Sequence, residues 1–164
     1  MKLQEIGNTD PVSRPYEGDV REFVERLALS FADYGFPRMP ARVLVGLMAA
    51  DEDALTAAEL GERLEVSPAA ISGAVRYLIR IGMLERVPSP GSRRDRYRLP
   101  ADPWYEVASQ ERPYLGKLAD IAADGARALD GSPAAERVAR MRDFFLFMQA
   151  EMGGLLDRWR ARRP

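Results

Sequence analysis

Small polar and basic residues recur on one face of a predicted helix that begins after Ser67 and Pro68. From Ile71 onward the apolar residues repeat at i, i+4, i+7 and i+8, which marks a buried face and leaves the opposite face to solvent. The outward face carries Ala69, Ser72, Gly73, Arg76, Tyr77 and Arg80. Small side chains let a helix lie deep in the major groove of a duplex, where serine and arginine can hydrogen-bond base edges. The alternative is an ordinary solvated helix surface.

A second basic group follows this helix, after the turn-forming sequence PSPGS at residues 88–92. Guanidinium groups on a hairpin can reach the minor groove or its flanking phosphates. Between residues 57 and 100, arginines exceed acidic residues by three, and because the whole chain has a net charge of −1, the rest carries −4. Such a distribution fits a nucleic-acid contact confined to one face. The candidate DNA-contact residues are Ser67, Ala69, Ser72, Gly73, Arg76, Tyr77, Arg93, Arg94 and Arg96.

The residue types that enzymes use most are missing. The sequence has no cysteine and no histidine, which excludes disulfides, Cys–His nucleophile pairs and the commonest zinc ligands. No glycine-rich phosphate loop occurs, and carboxylate pairs such as Asp51 and Asp53 lie at a helix end. We therefore predict that the protein is not an enzyme and has no catalytic residues, no metal site and no cofactor.

Cap signals predict the elements that position the basic groups. Thr56 and Glu59 have the spacing of a capping box for a helix over 57–64, and Ser67 caps the next helix, which Gly82 ends in the left-handed conformation. Two short strands, Leu84–Val87 and Arg96–Leu99, then flank the turn-rich segment. Two helices joined by a tight turn and followed by a hairpin form a winged helix-turn-helix.

Amphipathic helices flank this module on both sides. Asp19 can cap a first helix with an apolar stripe to Tyr34, and a second helix begins near Pro40. Asp102-Pro103 opens another helix, which Pro113 either kinks or restarts. The last helix runs from Pro133 to about Trp159, roughly 40 Å. Its apolar stripe needs another surface, which a second copy of the chain can supply.

The predicted fold is mostly α, a winged helix-turn-helix DNA-binding domain with long dimerisation helices. We divide the chain into a flexible tail (1–16), an N-terminal dimerisation helix (17–36), the winged helix-turn-helix domain (37–100) and a C-terminal helical dimerisation region (101–164). No run of about 18 apolar residues and no apolar signal core occurs, so we expect a cytoplasmic protein without membrane contact.

The stretch ELGERLEVSPAAISGAVRYLIRIGMLERV, followed by a wing reading GSRRDRYR, resembles the MarR-type transcriptional regulators. The spacing of the wing and its surrounding helices is most similar to the GbsR-like branch. The resemblance implies a homodimer that binds double-stranded DNA, expected to be a palindromic operator. It also implies a repressor that a small-molecule effector can release from DNA.

Aromatic residues near the predicted joints between the DNA-binding module and the dimerisation helices are the candidate effector site: Phe31, Tyr34, Phe36, Trp104 and Tyr105. Such a cluster can line a pocket for an apolar or cationic ligand. The alternative is simple core packing.

Two other functions remain open. A winged helix can serve as a protein-docking module in a larger assembly, but its recognition helix would then show an apolar outward face. A nonspecific architectural DNA binder would usually be far more basic than a net charge of −1.

Overall fold

Helices dominate the computed structural model, which describes residues 14–88 and 94–162. The order of elements within these residues confirms the predicted mostly α fold with a winged helix-turn-helix. The elements are α1 (Gly18–Asp33), α2 (Arg38–Met48), β1 (Leu55–Thr56), α3 (Ala57–Leu64), α4 (Pro68–Arg80), β2 (Glu85–Val87), β3 (Arg96–Arg98), α5 (Pro103–Ala128) and α6 (Pro133–Ala161). The chain divides into two units, residues 1–103 and 104–164. None of the described helices is long and apolar enough to cross a membrane.

The capping box predicted for α3 is present. The hydroxyl of Thr56 accepts a hydrogen bond from the backbone N–H of Glu59 at 3.2 Å, and the Glu59 carboxylate accepts one from the N–H of Thr56 at 2.6 Å. The hydroxyl of Ser67 caps α4 by accepting from the N–H of Ala70 at 3.3 Å. These bonds satisfy backbone donors that have no partner inside a helix.

The predicted cap at Asp19 is wrong. Helix α1 begins one residue earlier, at Gly18, and its N-cap Glu17 makes no side-chain capping hydrogen bond. Gly18 has a positive φ of 53°, which a glycine adopts without steric cost. Asp19 instead lies in the first turn, where its negative charge interacts favourably with the positive end of the helix dipole.

The turn between α3 and α4 is closed by backbone hydrogen bonds. The N–H of Val66 donates to the carbonyl of Gly61 at 2.9 Å, and the N–H of Glu65 donates to the carbonyl of Glu62 at 3.3 Å. Glu65 holds the left-handed conformation with φ of 54°. A Cβ on Gly61 would lie 3.1 Å from the Val66 carbonyl oxygen, so glycine at 61 permits this close approach.

Helix α4 ends as predicted at a left-handed glycine. Gly82 has φ of 77°, and its N–H donates to the carbonyl of Ile79 at 3.1 Å while Met83 donates to Leu78 at 2.9 Å. This pair of bonds is a Schellman motif. It redirects the chain immediately into strand β2.

The sheet contains one strand that the sequence did not predict. The strand order is β1-β3-β2, and both pairings are antiparallel. The two predicted strands are confirmed to within one residue, at Glu85–Val87 and Arg96–Arg98. The additional strand, β1, places Leu55 opposite Tyr97 and Thr56 opposite Arg96. It joins the wing directly to the residues that begin α3.

The first unit has its core where α2, α3 and α4 meet. Its largest fully buried side chains are Leu44, Leu55, Leu60, Ile71, Leu78, Val24, Val43 and Val45. Helix α2 begins at Arg38, two residues before the predicted start. Pro40 then lies in the first turn, where the missing N–H leaves no helical bond unmade.

Tyr16, which we placed in the flexible tail, is anchored to this unit. Its hydroxyl donates to the carbonyl of Gly46 at 2.6 Å, and its N–H donates to the carbonyl of Arg63 at 3.1 Å. The guanidinium of Arg63 lies over the Tyr16 ring, 5.6 Å from its centroid. Residues 1–13 of the predicted tail lie outside the described residues.

Arg63 forms an ion pair inside this unit. It is only 7% exposed and donates to the carboxylate of Glu52 at 2.7 Å. Burial opposes the negative charge of Glu52, but the hydrogen bond and charge of Arg63 outweigh it and hold the pKa of Glu52 below its ordinary value. Burial likewise opposes the charge of Arg63, whose pKa is nevertheless raised by Tyr16 and Glu52. Both groups are therefore charged at neutral pH.

The second unit is an antiparallel helical hairpin. Near its turn, a Cβ on Gly125 would lie 3.5 Å from the Val138 side chain, and at its far end Arg160 lies over the Tyr105 ring at 4.5 Å. Pro113 lies inside α5 without restarting the helix, and Ser132 caps α6 at 3.2 Å from Ala135 N.

Large apolar side chains of this hairpin are exposed in the single chain. On the α6 stripe, which the sequence predicted to need another surface, Met141, Phe144, Leu155 and Trp159 are 46–60% exposed in the single chain. The exposed set is Trp104, Tyr114, Ile121, Leu129, Met141, Phe144, Leu146, Phe147, Leu155 and Trp159. Where exposed apolar side chains form a contiguous patch, the patch usually marks an interaction surface.

Candidate nucleic-acid interface

Helix α4 presents the predicted recognition face to solvent. Ala69, Ser72, Gly73 and Arg76 are all exposed. A Cβ on Gly73 would meet nothing within 4 Å, so the packing of this chain does not require glycine there. Arg76 Nη1 lies 3.5 Å from the Ser72 hydroxyl, one turn back along the helix. The face therefore has small side chains near its start and a basic side chain one turn further on.

Tyr77 occupies a different position from the one predicted. It is half-buried, and its ring meets the Phe36 ring edge to face, with centroids 5.6 Å apart and planes at 90°. The guanidinium of Arg80 lies 5.3 Å from the Tyr77 centroid. Because its ring faces other side chains, Tyr77 supports the end of α4 by packing rather than lying on the open face.

The wing arginines differ in their partners. Arg86 pairs with Asp95 at 3.3 Å, and Arg98 pairs with Glu85, its cross-strand neighbour, at 3.0 Å. Both pairs hold β2 against β3. Arg94 is exposed just before β3. The predicted contact Arg93 lies outside the described residues.

Arg96 was predicted to face DNA, but its guanidinium is engaged at the base of the wing. Arg96 Nη2 donates to the carbonyl oxygen of Ala54 and lies 4.0 Å from a carboxylate oxygen of Glu59. The side chain is 34% exposed. It therefore connects β3 to the start of α3. Sequence spacing could not show this contact, since it depends on the unpredicted strand β1.

Several arginines between residues 57 and 100 are paired with acidic side chains, all of which except Glu52 are already counted in the excess of three positive charges. Of the eight arginines between residues 57 and 100, Arg63 is buried against Glu52, and three wing arginines have carboxylate partners. The basic side chains on the α4 face are Arg76 and Arg80.

Three of the aromatic residues predicted to bind an effector, Phe31, Tyr34 and Phe36, belong to the first unit. Phe31 and Phe36 lie 6.2 Å apart, and Phe36 packs on Tyr77. Tyr34 is 92% exposed. An open groove along one face of α1 is lined by Asp19, Glu22, Phe23, Arg26, Leu27 and Ser30, none of which is a predicted effector residue.

The other two predicted effector residues belong to the second unit. Trp104 is 43% exposed, and Tyr105 lies beneath Arg160. Among the described residues there is no group of three or more acidic, histidine or cysteine side chains that could hold a metal ion.

Two family models and one known relative match most of this chain. Residues 34–95 match the MarR family model, and residues 102–162 match a model described as an MmpR5-like MarR family transcriptional regulator. The chain is 30% identical over 148 residues to the HTH-type transcriptional regulator MmpR5 of Mycobacterium tuberculosis (strain ATCC 25618 / H37Rv), covering 89% of this chain and 90% of that protein.

A solved crystal structure is also similar. It is described as a transcriptional regulator, is 31% identical, covers 88% of this chain and 100% of its own, and superposes with a TM-score of 0.79. These matches confirm the resemblance to MarR-type regulators and place the similarity in the MmpR5-like group. The narrower resemblance to the GbsR-like branch is not confirmed.

Proposed function

This chain belongs to the MarR family of winged-helix transcriptional regulators, and we propose that it acts as a homodimeric repressor that binds a palindromic operator in double-stranded DNA. The family and the similar proteins are transcriptional regulators, not enzymes. MarR regulators bind DNA as dimers. The proposal extends this behaviour to the present chain and adds the symmetry of its operator and the sign of its regulation.

The observation that carries the proposal is the exposed face of α4. Ser72 and Arg76 lie one turn apart on that face, with small residues before them and a wing following in the same unit. Serine and arginine are hydrogen-bonding side chains that discriminate bases in the major groove. A protein-docking winged helix would instead expose apolar residues here, so this face favours DNA over a protein partner.

The proposal of a dimer is supported by the second unit. Its hairpin buries few residues of its own, whereas side chains such as Phe144, Phe147 and Leu155 are 57–60% exposed. A monomer in water rarely leaves so many large apolar groups uncovered along two helices. A second copy related by a two-fold axis would cover them and would present two α4 helices to half-sites about 34–36 Å apart.

Release from DNA by a small-molecule effector is part of the proposal through the family resemblance. Its test is a thermal-stability screen against apolar and cationic compounds, in which a ligand at 100 times its Kd should add about 2.7 kcal/mol. For a stabilising compound, Trp104→Ala should alter the release from DNA while the base preference stays unchanged. A broad screen without any stabilising compound would remove the effector from the proposal.

Selection of bound sequences from a random duplex pool tests the proposed function. A dimer with two α4 helices should enrich an inverted repeat with half-sites about 10 base pairs apart. Recovery of a single unrepeated site, or of no sequence at all, would contradict the palindromic operator. A reporter gene placed behind the selected site then gives the sign of regulation, with lower expression expected for a repressor.

A further inference from the structure

We propose that Arg96 and Glu59 fix the wing on the helix-turn-helix, so that Arg96 supports DNA binding as a positioning residue without contacting DNA itself. The proposal rests on the proposed DNA-binding function. It assigns to Arg96 a role different from that of the other basic residues near the duplex, and it gives an acidic residue, Glu59, a favourable role in DNA binding.

The contacts of Arg96 all lie at the base of the wing. Arg96 stands opposite Thr56 in the pairing of β1 with β3. From there its guanidinium donates to the carbonyl of Ala54 and lies 4.0 Å from Glu59 Oε2. Both charged side chains are largely shielded, with 34% and 22% of their surfaces exposed. Partial burial strengthens such a pair relative to one in open solvent.

One carboxylate oxygen of Glu59 takes part in two contacts. Glu59 Oε2 accepts the hydrogen bond from the N–H of Thr56 at 2.6 Å that closes the capping box of α3, and it is also the oxygen that faces Arg96. The start of α3 and the base of the wing therefore share a single anionic centre. Displacing the wing would pull Arg96 away from Glu59, so the attraction between the two charges resists the displacement.

The wing needs such an anchor because its backbone pairing is short. Strand β1 has two residues and β2 and β3 have three each, so few ladder hydrogen bonds hold the hairpin in place. The pairs Arg86–Asp95 and Arg98–Glu85 connect β2 to β3 and do not reach α3. Arg96, by contrast, contacts Ala54 and Glu59, which lie just before and within the first turn of α3.

The substitution Glu59→Gln separates positioning from simple electrostatics, because the two predict opposite signs. Removing a negative charge close to DNA should strengthen binding if only long-range repulsion matters. If Glu59 holds the wing through Arg96, the same substitution should weaken binding to the selected operator about tenfold, a typical size for breaking a coupled network. Glutamine also serves in a capping box, so α3 keeps its start.

Glu62→Gln is the matched control. It removes the same charge from the same helix, at an exposed position, and should leave affinity unchanged or slightly raised. Circular dichroism and thermal melting of both variants establish that each is folded before binding is measured by fluorescence anisotropy. Tighter or equal binding by Glu59→Gln, with both variants folded, would overturn the proposal.

A second set of variants tests whether Arg96 acts through the wing. If Arg96 positions Arg94, the double variant Arg94→Ala/Arg96→Gln should bind no more weakly than the weaker of the two single variants. Independent phosphate contacts would instead multiply the two losses. Multiplying losses would therefore overturn the proposal. Failure of the wild-type chain to bind any selected duplex would contradict the proposed function itself, and is thereby distinguished from failure of the positioning role.

Discussion

Replacement of Arg94 by alanine should reduce the salt dependence of DNA binding. Arg94 is exposed immediately before β3 and follows the turn-forming sequence of the wing by two residues. Its exposure and its place near the predicted wing tip make Arg94 a candidate for a phosphate contact. Such a contact releases counterions from the duplex and adds affinity for every sequence alike.

The magnitude follows from the number of copies. One phosphate contact contributes a slope of about −0.9 to the logarithm of the binding constant against the logarithm of salt concentration. A dimer that carries Arg94 twice should thus lose a slope of about 1.8. Between about 50 and about 200 mM salt, this difference changes the ratio of wild-type to variant affinity by roughly twelvefold.

Fluorescence anisotropy with the selected operator and a scrambled duplex, across a salt series, measures both quantities. Arg94→Ala should weaken binding to the two duplexes by similar factors. The control Arg26→Ala removes the same charge from α1, where the side chain is 80% exposed and pairs with Glu22, and should leave the slope unchanged. An Arg94→Ala slope equal to that of the wild type would show that the described part of the wing is only a structural hairpin.

Three further predictions concern the recognition helix, the apolar hairpin and the buried ion pair. Ser72→Ala and Arg76→Ala should each change the preferred base at one position of every half-site, at a cost of about 1–3 kcal/mol per lost contact. Competition of the operator against its single-base variants measures this preference. A uniform loss of affinity for all variants would contradict base readout. Phe144 and Leu155 are 57% and 60% exposed in the single chain. Phe144→Glu or Leu155→Glu should therefore yield a folded monomer, identified by light scattering, that binds DNA weakly. A monomer that binds DNA tightly would refute the dimer. The pKa of Glu52 is lowered in the folded protein, so its charged carboxylate stabilises the fold at pH values above the unfolded-state pKa. This stabilisation is lost as the pH falls through the folded-state pKa. Urea denaturation at about pH 7 and about pH 4 should therefore show a smaller acid-induced loss for Glu52→Gln than for the wild type, and equal losses would exclude this contribution.

Local signals in the sequence predicted the helix-turn-helix well. The capping box of Thr56 and Glu59, the cap at Ser67 and the left-handed Gly82 all lie within a few residues of the backbone groups that they satisfy. Such contacts depend on short spacings, which a sequence displays directly. The same reasoning failed at Asp19, which lies inside the first turn of α1 and not at its N-cap.

Contacts between distant residues could not be predicted in this way. Strand β1 has two residues and shows no alternation, and it exists because β3 returns to pair with it. The positions of Arg96 and Tyr77 depend on that pairing and on Phe36, 41 residues before Tyr77. The length of the α6 stripe did predict that it needs another surface, but an apolar pattern does not indicate which surface covers it.

The spacing between operator half-sites tests the central claim most directly, since a rigid dimer must place both α4 helices on one face of the duplex. Inserting about 5 base pairs between the half-sites turns them to opposite faces, and about 10 restores the same face at a greater distance. We predict that the shorter insertion reduces the affinity of the wild-type dimer to that for a single half-site, measured by anisotropy at one salt concentration. Equal affinity for the selected operator and for the operator with the shorter insertion would contradict recognition by a two-fold dimer.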